Sequence, residues 1–178
     1  MVQVAQGTWH ARGLSELPSG PVSFDNVPAT PVGAPGWYLS RPGFAWGGIG
    51  VAACWFGGAI GVARTVYAGA KDEFAVMHLG AIDELLETCR RALSEAATLV
   101  DSGQADSITA KRVRSTIARA AEETLLRAGH ALGPAPLAMN ASHAKRVADL
   151  TLYLRQHHAE KDQASLGRAI LNLGHAPW

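Results

Sequence analysis

Cysteine is nearly absent from this chain, and so is net charge. Cys54 and Cys89 are the only cysteines, too few for a disulfide framework or a cysteine zinc site, and they fit a reduced, cytoplasmic setting. The net charge of +1 lacks the basic excess of a nucleic-acid binder, so no nucleic-acid partner is expected. Charged residues make up 17% of the chain, which is low for a protein rich in exposed helix. No GxSxG, Walker loop or strand-led GxGxxG occurs. No basic segment followed by an apolar one opens the sequence, so no secretory signal is expected. What is present is apolar. Hydrophobic residues form 48% of 178 positions, which excludes a disordered chain and allows one domain with a real core, with or without a short appendage.

One uncharged stretch runs between Arg41 and Arg64 and is long enough to span a bilayer. Gly43 and Gly47, then Gly57 and Gly61, have the spacing that lets helices approach closely. The stretch is mostly Gly and Ala, so its transfer energy is weak. A buried central helix of a bundle is therefore expected, with a membrane span as the alternative. Gly47-Gly48-Ile49-Gly50 reads as close helix packing, not as a nucleotide loop.

The first forty residues carry Pro18, Pro21, Pro28, Pro31 and Pro35, which exclude a long helix. Val22 and Phe24 alternate with Ser23 and Asp25, predicting a half-buried strand. From Ser40 onward the pattern is helical. A first helix is expected to stop near Gly69, and a second to run from about Asp72 to Val100. The second has an apolar stripe that includes Phe74, Met77, Ile82 and Cys89. Asp106 or Ser107 caps a third helix, which ends at Gly133-Pro134. Asn140 or Ser142 opens a fourth, and a fifth or a continuation reaches Leu173 with Gly174 as its cap. The fold class expected is mainly α, an up-down four-helix bundle with a short N-terminal β appendage.

Candidate chemistry is sparse. His157 and Glu160 stand at i, i+3, a metal-ligating spacing on a helix. A carboxylate-bridged di-metal bundle needs that pair twice, with two further glutamates, and only one copy is present. No metal is expected, and the histidines read as surface or pocket-lining groups. Arg112, Arg114 and Arg119 form a basic stripe on the third helix, expected to be solvated, with phosphate binding as the alternative.

A resemblance goes further. Ser19-Gly20-Pro21-Val22-Ser23-Phe24-Asp25-Asn26-Val27-Pro28 is similar to the last β-strand of flavin-dependent acyl-CoA dehydrogenases, where it leads into the helical bundle. Arg41-Pro42-Gly43-Phe44 and the small-residue helix resemble the start of that bundle. Ala148-Asp149-Leu150 and the run from Tyr153 to Glu160 resemble the last helices of a divergent bacterial branch. The resemblance spans nearly all of the chain and implies the C-terminal half of such a protein. Residues 1–38 would be the remnant of a β-domain with its linker, and residues 39–178 the C-terminal bundle.

The resemblance implies FAD as cofactor, an acyl-CoA substrate and α,β-dehydrogenation of the acyl thioester. Lys71 and Phe74 stand where many members carry Arg-x-x-Phe-Gly for a neighbouring subunit's flavin. Lys71 keeps the charge but not the fork, and Asp72 and Glu73 would repel phosphate. Gly133 matches the end of a Gln-x-x-Gly-Gly cofactor loop. The family's catalytic glutamate falls at His157 or Ala159, neither a carboxylate, which leaves Glu160 as the nearby candidate base. Most of the family's β-domain and all of its N-terminal domain have no counterpart here, so the chain is not expected to catalyse alone. A homo-oligomer, or a partner chain supplying the missing domains, is expected. No membrane partner is expected. The alternative is a non-catalytic helical oligomerisation or interaction module.

Overall fold

Three long helices carry the core of the protein. A computed structural model describes all 178 residues, of which 68% are helical. Helix α1 is the short Trp37–Ser40 turn, and α2 spans Pro42–Gly69. Arg41 is extended, and Pro42 occupies the first turn, where its missing N–H costs nothing. Ile49, Ala52, Trp55, Ala59, Val62, Ala63 and Val66 are buried at steps of three and four, which is one helix face. The opposite face, with Gly47, Gly50, Ala53, Cys54 and Gly57, is open. This corrects the expectation of a fully buried central helix. Only 39% of its most apolar window is buried, although the helix is long and apolar enough by composition to cross a membrane. The open face presents backbone and small side chains, so this chain gains little by covering it.

Helix α3 spans Glu73–Asp101 and is capped by Asp72, whose carboxylate accepts from Ala75 N at 2.9 Å. Its buried seam is Ala75, Ile82, Cys89 and Ala96, a seven-residue repeat. Phe74 and Met77, expected in that stripe, are 74% and 54% exposed. They flank the seam in the first turn instead of lying on it. Helix α4 spans Ser107–Leu132, capped by Asp106, which accepts from Thr109 N at 2.8 Å. It ends at Gly133, where φ is +64°. A Cβ on Gly48 would meet Arg114, and one on Gly69 would meet Leu132, so α2 and α4 run in the same direction. The His78–His130 ring contact places the start of α3 at the end of α4, so α3 runs against both.

Helix α5 is Ala135–Met139, and α6 is Ala141–Tyr153, capped by Asn140, which accepts from His143 N at 3.0 Å. Gly58 meets Leu150 and Gly61 meets Arg146, so α6 runs against α2. The expected continuation is interrupted. A 3₁₀ turn at Leu154–Gln156 and extended His157 precede α7, Ala159–Leu171, which has no buried residue and packs on α4. His157 and His158 therefore sit in a break, not on a helix face. Gly174 follows with φ +73°.

Strand β1 (Val2–Val4) pairs antiparallel with β2 (Val22–Phe24), with Val2 opposite Phe24 and Val4 opposite Val22. All six residues are exposed, which corrects the half-buried strand of the sequence reading. A two-strand ribbon with no second layer has nothing to bury against. Buried Gly13 fixes this segment to the helices. Leu14 N donates to Asp149 Oδ1 at 2.7 Å, and Lys145 bridges Glu16 and Asp149 at 3.0 and 2.7 Å.

Candidate functional site

Trp55 organises the most chemically varied cluster in the protein. It sits at the centre of the buried face of α2, and its side chain is 0% exposed. The Arg114 guanidinium of α4 lies 4.7 Å from the Trp55 ring centre and donates to Gly48 O at 3.0 Å. Tyr153, at the end of α6, meets the same indole edge-on at 6.2 Å. His157, in the break before α7, meets it at 6.0 Å. The break gives the cluster its last member, because extended backbone at His157 turns α7 back over α4 and brings Asp162 within 3.1 Å of His157 Nδ1. The approach is too oblique for a hydrogen bond. Glu122 and Arg155 pair at the rim.

The electrostatics follow from burial. Burial pushes the His157 imidazole below its ordinary range, and Arg114 pushes the same way, while Asp162 and Glu122 oppose them. Burial raises the Tyr153 phenol, and the nearby Cys54 thiol adds to that. The cluster thus contains a guanidinium stacked on an aromatic ring and an imidazole that favours its neutral form. This corrects the expected solvated stripe. Arg112 and Arg119 are exposed, but Arg114 turns inward and is half-buried.

Two hollows are present, the smaller of which shares Tyr153 with the Trp55 cluster. A groove of about 410 Å³ between α3 and α4 is walled by Glu84, Thr88, Arg119 and Arg127 over a floor that includes Cys89 and Ala120. A smaller hollow of about 150 Å³ lies where Leu14 covers α2 and α6, with Cys54, Arg146 and Tyr153 in its wall.

The residues singled out by resemblance divide into two places. Lys71 and exposed Phe74 flank the turn from α2 to α3, and Gly133 closes α4 at the same end of the helices. Asp72, between them, is engaged in capping α3. Glu160 is exposed in the first turn of α7. The pairing of Arg155 with Glu122 and the nearness of Asp162 to Arg114 set that turn roughly three to five helical turns down α4 from Gly133. The structure therefore gathers Lys71, Phe74 and Gly133 but not Glu160, and none of the four lines either hollow. Nor do three or more His, Cys, Asp or Glu side chains gather at one point. The Trp55 cluster escaped sequence reasoning because its members come from three separated segments, around Trp55, Arg114 and residues 153–162. Trp55 itself carries no local signal, since the same helix also holds Phe44, Trp46, Phe56 and Tyr67.

No family model, no curated protein and no solved structure matches the chain.

Proposed function

We propose that this chain is a helical assembly module, which acts by packing its exposed faces against further copies or a partner chain. The observation that carries this reading is surface area. A compact monomer of this mass exposes about 8,300 Å², whereas this chain exposes 11767 Å². The excess is several times the area of about 800 Å² that each partner buries in a standard interface. Only 25 of 178 residues are buried, and residues 15–40 are exposed throughout. In this reading the helices α2, α3, α4 and α6 form an up-down four-helix bundle whose fourth member is cut short.

A second reading has its own support. The resemblance to the C-terminal bundle of acyl-CoA dehydrogenases requires Lys71, Phe74 and Gly133 to face one flavin dinucleotide. All three lie at one end of the helices, with Phe74 unpacked. In this reading the chain contributes an FAD-facing edge to an oxidoreductase, and a partner supplies the missing domains and acyl-CoA pocket.

Size-exclusion chromatography with light scattering and a flavin absorbance scan tests both. The assembly module predicts a colourless oligomer, and a monomer at tens of micromolar would overturn it. The flavin reading predicts yellow protein, or FAD uptake that Phe74→Ala weakens.

A further inference from the structure

Between Asp25 and Asp72 the chain contains no Asp or Glu, and all fifteen carboxylates lie outside that interval. The same interval supplies the open face of α2. Its cations are Arg41 at one end and Arg64 and Lys71 at the other. At the Arg41 end Trp37, Tyr38 and Phe44 are 42%, 58% and 47% exposed. Arg41 stacks over two of them, 4.0 Å from the Tyr38 ring centre and 5.1 Å from that of Trp37, and Phe44 meets the Tyr38 ring edge-on. Along the middle, a Cβ added at Gly47, Gly50 or Gly57 would meet nothing within 4 Å. The result is an apolar strip roughly 40 Å long with no carboxylate of its own, aromatic side chains at one end and positive charge at both; the Asp149 carboxylate that borders it beside Cys54 is paired with Lys145.

We infer that this strip docks a partner protein chain, a helix-presenting surface that is apolar along its centre and acidic at its rim. The inference rests on the assembly reading above and names the face and the chemistry of its partner. Charge complementarity excludes the simplest alternative, a second copy on the same face. An antiparallel two-fold pairing would set Arg41 of one strip against Arg64 and Lys71 of the other, with no carboxylate in the strip to offset them. A lipid surface fits less well than a helix. Glycine and alanine contribute little transfer energy, whereas a face without side chains permits the close backbone approach of a packed helix. The stacked aromatics match the anchor composition of protein interfaces.

The test uses the whole chain and two synthetic amphipathic helices with the same Leu/Ala face, one flanked by Glu and one by Lys. Binding is read by anisotropy of the labelled peptide. The expected result is binding of the Glu-flanked helix at least about tenfold tighter than the Lys-flanked one. Gly50→Leu with Gly57→Leu should abolish that preference while raising the Tm, because each leucine enters open space on a helix. Trp37→Ser with Phe44→Ser should weaken it as well. Equal binding of the two peptides, no binding, or a preference unchanged in the leucine variant would overturn the inference. So would stronger binding to phosphatidylglycerol vesicles, or a homodimer that Gly50→Leu dissociates. If light scattering shows an oligomer that the strip variants leave intact while neither peptide binds, this inference fails and the assembly reading stands.

Discussion

The Arg114 guanidinium lies over the ring of fully buried Trp55, joining α4 to the indole that also meets His157 in the break before α7. Stacking of this kind contributes about 0.5–2 kcal/mol, and the bond to Gly48 O adds roughly 1 kcal/mol. Arg114→Leu is expected to cost about 2–3 kcal/mol, seen as a Tm fall of roughly 5–10 °C by circular dichroism. Arg114→Lys should restore less than half of that, because an ammonium neither stacks flat nor reaches both partners. Full rescue by lysine would show that charge, not stacking, holds the cluster.

Gly13 secures the N-terminal segment. A Cβ there would lie 2.1 Å from Ala148 O and 2.8 Å from Asp149 N, both backbone atoms of α6 that cannot yield. Gly13→Ala should therefore release the segment, with the Leu14–Asp149 bond lost as well. Trypsin cleavage at Arg12 should speed up by about tenfold or more, tracking the local opening equilibrium. The Tm of the helices should stay within roughly 2 °C, since residues 15–40 bury nothing on them. An equal loss in both readouts would mean that the segment belongs to the core.

Three helices begin on a side-chain cap: Asp72 on α3, Asp106 on α4 and Asn140 on α6. Replacing any one with Ala should cost about 1 kcal/mol. The caps are far apart in sequence and share no partner, so the triple variant should lose about 3 kcal/mol, additively. Asp72→Ala also bears on the flavin reading. If Asp72 acts only as a cap, its removal lowers Tm without creating FAD uptake. Flavin binding gained in that variant would show that its charge guards the Lys71–Phe74 edge.

The helices were legible because their punctuation is local. Asp72, Asp106, Asn140 and Gly133 each act through the backbone within a few residues, so the sequence pattern located those boundaries well. Burial was less legible, because it depends on neighbours. Phe74 and Met77 satisfy an apolar periodicity, yet the contacted seam runs through Ala75 and Ile82. The strand at Val22–Phe24 was readable, but its partner Val2–Val4 was not, since pairing across that separation leaves no local trace. The candidate site was hardest. Arg114 reads as part of a basic stripe with Arg112 and Arg119. Only the position of Trp55 across the helix interface turns it inward.

Buried His143 and half-buried His157 predict how stability varies with pH. His143 is 2% exposed, and burial, with Arg146 nearby, pushes its imidazole below the ordinary 6.5. His157 shifts the same way, through burial and Arg114, against Asp162 and Glu122. Unfolding exposes both, so the unfolded chain binds protons first as pH falls. Their contribution is complete above about 6.5 and declines below it, until the folded groups protonate in turn. Tm should therefore drop between pH 7.5 and pH 5. Carboxylates such as Glu87, held at about 2 by hydrogen bonds from Arg90 and Arg91, lose their contribution only at lower pH, so the two windows separate. The double variant His143→Leu, His157→Asn should flatten the upper window and leave the lower one intact. A wild-type Tm that stays level from pH 7.5 to 5 would refute this account, as would a slope that survives in the double variant.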